Sequence, residues 1–87
     1  MQKLTRQEAS RVLTEARRLQ LIYKDSKARL GQAIWWCYTE NSTLPEELKE
    51  KLFTLIDADR ATDNDFYYWN DKNDVVNKFY ELYVEQY

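Results

Sequence analysis

The sequence predicts an all-α fold, a compact four-helix bundle-like single domain with an extra short helical turn near 65–68. Three observations carry the prediction. Glycine and proline occur once each, too few for the tight turns of a sheet. Two Thr-x-x-Glu capping boxes mark helix starts, and the stretches between the loops carry apolar residues at helical spacing.

The first helix opens at Thr5, whose capping partner is Glu8, with Leu4 placed to pack on Ala9 as a hydrophobic staple. Val12, Ala16, Leu19 and Tyr23 then form a stripe flanked by Ala9, Leu13 and Ile22. Arg6, Arg11, Arg17, Arg18 and Lys24 fall on the remaining circumference and make it basic. Near Lys24, Asp25 or Ser26 can cap a second helix that runs through RLGQAIWWCYTEN, with Leu30, Ala33, Ile34 and Cys37 as its apolar stripe. Gly31 costs an exposed helix about 1 kcal/mol relative to Ala, which points to a close helix approach or a break there.

Asn41, Ser42 and Thr43 form the clearest loop. Thr43 and Glu46 repeat the capping-box spacing, and Pro45 lies in the first turn of a third helix. Leu48, Leu52, Leu55 and Ile56 give its buried face, with Phe53 at the side. The pattern fades at Asp57-Ala58-Asp59, and Arg60 to Asn64 reads as loop. The last helix starts at Asn70 or Asp71 and aligns Val75, Val76, Phe79, Leu82 and Tyr83.

At 87 residues there is room for one core, so residues 1–87 read as one domain. The N-terminus lacks the apolar run of a secretory signal, and no stretch approaches the roughly 20 apolar residues of a membrane span. A soluble, cytoplasmic protein is expected. Cys37 is the lone cysteine, so the chain should fold without a disulfide.

Catalytic chemistry has little to work with. With no histidine, the Ser-His and Cys-His nucleophile arrangements are impossible and the commonest general base is missing. A Cys/His zinc site cannot be built either. Asp57, Asp59, Asp63 and Asp65 suggest a calcium loop, yet neither register places Gly at the sixth position and Glu at the twelfth. One isolated glycine cannot form a phosphate-binding loop. The expectation is a non-enzyme with no cofactor and no metal.

Partner binding is read from the aromatics. Trp35, Trp36 and Tyr38 share one helix and Phe66, Tyr67, Tyr68 and Trp69 one loop, more than a small core can bury. Consecutive helical residues point about 100° apart, so Trp35 and Trp36 cannot both face one core. Exposed Trp and Tyr suit a protein interface, while packing of the tryptophans beneath the 66–69 segment would account for the same residues. Charge offers two further readings. Residues 1–39 carry eight Lys/Arg against three Asp/Glu, and residues 40–87 five against twelve. Arg6, Arg11, Arg17, Arg18 and Lys24 could contact nucleic acid or an acidic partner. Glu46, Glu47 and Glu50 could contact a basic partner, as a mimic of a nucleic-acid backbone would. A protein partner is the first expectation and nucleic acid the alternative, with no membrane association. A homodimer would also satisfy leftover aromatic surface.

Two stretches, RLGQAIWW and DNDFYYWNDKNDVVNKF, resemble a pattern found in small helical proteins of phages and bacterial mobile elements. The matching residues are Arg29, Gly31, Gln32, Ala33, Ile34 and Trp35, then Asp65, Phe66, Tyr67, Asp71, Val75 and Phe79. Tyr68 and Trp69 lengthen the usual spacing before the next acid. The resemblance implies a helical fold and a phage or mobile-element origin, with no activity attached. Together these features suggest a small non-catalytic interaction module, in its sharpest form a phage-encoded inhibitor of a bacterial host or defence complex of the anti-CRISPR kind.

Overall fold

The computed structural model describes residues 3–23, 30–39, 42–60 and 72–86, of which 57–60 and 72–74 are described as helical backbone alone. Among these residues the chain forms α1 (Arg6–Ile22), α2 (Leu30–Thr39), α3 (Glu46–Arg60) and α4 (Lys72–Tyr83), the all-α architecture expected. The radius of gyration, 11.9 Å, matches the roughly 12 Å of a folded chain this long, so the helices pack into one globule.

The start of α1 is built as its sequence dictates. The Glu8 N–H donates to Thr5 Oγ1 at 3.1 Å, and the Thr5 N–H donates to Glu8 Oε1 at 2.9 Å, closing the capping box. Glu8 Oε1 also accepts from Lys51 Nζ at 2.8 Å, so the cap is tied to α3. Burial works against ionisation of Glu8, but the bonds from Lys51 and Thr5 outweigh it and lower its pKa.

α2 touches each of the other three helices, most extensively α1. Its segment LGQAIWWCYT has no charged residue, as a central position requires. Leu30, Gly31, Ala33, Ile34 and Cys37 are buried, and the Cys37 thiol donates toward the carbonyls of Val12 on α1 and Ala33. The core is completed by Ala9, Val12, Leu13, Ala16 and Leu19 of α1, Leu48, Leu52, Leu55 and Ile56 of α3, and Val75, Phe79 and Tyr83 of α4.

Residues flanking the helices close the globule. Leu4 is fully buried, its N–H donates to the Tyr83 carbonyl at 2.8 Å, and its carbonyl accepts from the Glu85 N–H at 2.9 Å. The segments before α1 and after α4 thus meet in a parallel bridge between Leu4 and Val84. Leu4 is therefore a core residue and a clip between distant parts of the chain. Gln86 folds back on α4, its amide donating to the carbonyls of Tyr80 and Val84.

Three local expectations are corrected. Thr43 does not close a second capping box with Glu46, because the N–H that the Glu46 side chain would accept donates instead to Glu15 of α1, as does the Thr43 hydroxyl. The helix begins at Glu46 instead, with the Pro45 carbonyl accepting from Leu48 and Lys49 at 3.0 Å each. Secondly, α3 continues through Arg60, past the end of its apolar stripe, because backbone hydrogen bonding does not need a buried face to propagate. Thirdly, Ile22 and Tyr23 are not core residues: they are 53% and 43% exposed, because helical register fixes the direction of a side chain and not whether another element covers it. The proposed helical turn at 65–68, the caps before α2 and α4 and the side chains of the acidic quartet lie outside the described residues.

Candidate interaction surface

Two aromatic ledges flank α2. Trp36 and Tyr38 lie about 200° apart around the helix axis and project to opposite sides of the buried Cys37. Trp36 meets Tyr23 of α1 edge-on, with ring centroids 5.1 Å apart, and Tyr38 meets Phe53 of α3 in the same manner at 5.5 Å. Both geometries are the offset edge arrangement that aromatic quadrupoles favour. Trp35, Trp36 and Tyr38 are each half-buried, so the helix divides them between core and surface. Phe66, Tyr67, Tyr68 and Trp69 lie outside the described residues.

Among the described residues, the most exposed apolar side chains are ones the helical pattern does not single out for binding. Leu21 is 78% exposed in the last turn of α1, followed by Ile22 and by Tyr23, which meets Trp36, and Phe53 is 49% exposed beside Tyr38. Their signal in the sequence was position: Leu21 lies off the α1 stripe and Phe53 at the side of the α3 stripe.

The basic face is smaller than its sequence suggests. Arg6, Arg11 and Arg17 are exposed, and Lys24 lies outside the described residues. Arg18 turns to Glu15, its Nε donating to Oε1 at 2.5 Å and a terminal nitrogen to Oε2 at 3.1 Å. Glu15 is only 4% exposed, and its Oε2 also accepts the Thr43 N–H and, at 2.8 Å, the Thr43 hydroxyl. Four donors thus converge on one buried carboxylate. The Arg18 bond is the strongest influence; with the Thr43 bonds and against burial, it holds the Glu15 pKa down to about 2. The Glu15 bond in turn raises the pKa of Arg18. This constellation, which the sequence reading missed, joins α1 to the loop before α3.

The acidic face is open. Glu46, Glu47 and Glu50 are exposed on the first turns of α3. Lys49 reaches Glu46 at 3.4 Å across one helical turn, while Glu47 and Glu50 make no ion pair among the described residues.

Neither perturbed acid in the interior is poised for chemistry. A carboxylate saturated with donors and held near pKa 2 is a poor base. Burial, reinforced by the charge of Glu15, pushes the Cys37 thiol up to about 12, which keeps it from forming the nucleophilic thiolate. Glu15 instead ties α1 to Thr43, and Cys37 packs in the core between α1 and α2.

Comparison with protein-family models, curated proteins and solved structures finds no match. Within the described residues no helix is long and apolar enough to cross a membrane.

Proposed function

We propose that the chain is a small non-catalytic domain that works by binding a protein partner. The observation that supports this reading is the exposure of Leu21, Ile22 and Tyr23 around the end of α1, where Tyr23 meets the Trp36 ring. Burying a side chain such as Leu contributes about 1.5–3 kcal/mol, so a partner covering this run gains affinity that the folded chain alone forgoes. Tyr23 and Trp36 are also of the residue types enriched in interface hot spots. The nucleic-acid alternative is less well supported, since Arg18 is occupied by Glu15.

The reading takes its sharper form from the sequence resemblance: a phage-encoded inhibitor acting on a bacterial host or defence complex. Capture from bacterial lysate with the tagged chain tests the general form, using Leu21→Asp as comparator and circular dichroism to confirm that it folds. A set of captured proteins identical for both chains would defeat the proposal. For the sharper form, expression in a CRISPR-protected strain should restore plating of the targeted phage, and unchanged plating would remove it.

A further inference from the structure

The second aromatic ledge has a setting different from the first. Between α2 and the outer side of α3 runs an open cleft of about 370 Å³, lined by Tyr38, Glu46, Lys49, Glu50, Phe53 and Thr54. Phe53 stands at its side half in water, held edge-on by Tyr38. Glu46, Glu50 and Phe53 are spaced at i, i+4 and i+7, which aligns them along one side of α3. The one cation present, Lys49, is turned to Glu46 and only 20% exposed, while the Glu46 side chain is 83% exposed. Glu50 is exposed, with no ion pair among the described residues.

We infer that this cleft is a docking site for an arginine-bearing segment of a protein partner, in which a guanidinium lies against Phe53 and is held by the Glu50 carboxylate. The inference rests on the interaction-domain reading and names the partner's chemistry at a second surface, across α2 from the Tyr23–Trp36 pair. Charge complementarity selects the occupant: Glu46 and Glu50 line the cleft, and the half-exposed Phe53 ring between them and Tyr38 is a partner for a cation. Arginine fits better than lysine because its planar fork can bond a carboxylate through two N–H groups while its face stacks on the ring. An acidic segment or a nucleic-acid backbone would meet the like charge of Glu46 and Glu50, with Lys49 already turned to Glu46.

The test uses the full chain and a short fluorescein-labelled peptide alternating arginine with leucine, followed by fluorescence anisotropy at low salt. The arginine peptide should bind, its lysine counterpart more weakly, and its glutamate counterpart not at all, with affinity falling as salt is added. Phe53→Ala and Glu50→Gln alter exposed side chains and should leave the circular dichroism spectrum unchanged. Each should weaken the arginine peptide by about tenfold, which is ~1.4 kcal/mol.

Equal affinity for all three peptides, or for the wild-type and both variants, would overturn the inference. So would sedimentation velocity showing self-association that Glu50→Gln abolishes, because the occupant would then be a second copy of the chain. If Leu21→Asp abolishes lysate capture while Phe53→Ala and Glu50→Gln leave it intact, the interaction domain stands and the arginine cleft falls.

Discussion

Removing the charge of Glu15 while keeping its shape, by Glu15→Gln, should cost most of the stability that this carboxylate supplies near neutral pH. Its pKa falls from 4.5 to about 2 in the folded chain. At 1.36 kcal/mol per pKa unit, that shift corresponds to roughly 3 kcal/mol of stabilisation of the ionised form. The sign follows from linkage. A carboxylate whose folded pKa lies below its unfolded value stabilises the fold fully above the unfolded value, near 4.5, and loses that contribution as pH falls through the folded value, near 2. Urea unfolding followed by tryptophan fluorescence, from pH 7 down to pH 2, measures it in both chains. The other acids titrate in both, so the difference between the curves isolates position 15. That difference should be about 3 kcal/mol at pH 7 and shrink steadily below pH 4.5. A gap that stays constant across the range, or one below about 0.5 kcal/mol at pH 7, would refute the claim that four converging donors stabilise a buried charge here.

Other consequences can be measured on the same material. Thr5→Ala removes the hydroxyl that accepts the Glu8 N–H and should cost about 1 kcal/mol, read as a lower urea midpoint at unchanged slope. Leu4→Ala empties a fully buried position and should cost about 2–5 kcal/mol; a cost below 1 kcal/mol would mean that the clip to Tyr83 and Glu85 is dispensable. Cys37 should react with a thiol reagent at pH 8 at least about a thousandfold more slowly in the native chain than in urea, because reaction requires opening of the core. Native labelling as fast as that of the unfolded chain would show that the α1–α2 interface does not exclude solvent.

How much of this was legible in the sequence depends on the range of the interaction concerned. Local determinants were readable. The Thr5 and Glu8 side chains lie three residues apart and satisfy each other without help from the rest of the chain, so the start of α1 follows from sequence alone. The same holds for the apolar stripes, because helical periodicity places Leu48, Leu52, Leu55 and Ile56 on one side whatever that side packs against.

Contacts between distant residues were not readable in this way. Thr43 matched a capping box as well as Thr5 did, yet its hydroxyl and N–H went to a carboxylate 28 positions earlier, a stronger acceptor because it is charged and buried. That same carboxylate withdrew Arg18 from a face that looked uniformly basic. Leu4 read as a local staple and became a bridge to the far end of the chain. Tyr23 continued the α1 stripe in perfect register, but register settles only which way a side chain points.

The sequence by itself thus determined an all-helical chain, the start of α1 and the faces on which its helices pack. Tertiary structure decided which of those faces end in water, leaving Leu21, Ile22, Tyr23 and Phe53 exposed, and which polar groups find each other across the fold. The physical reason is that periodicity and capping act within a few residues, whereas burial and charge pairing depend on which helix arrives alongside.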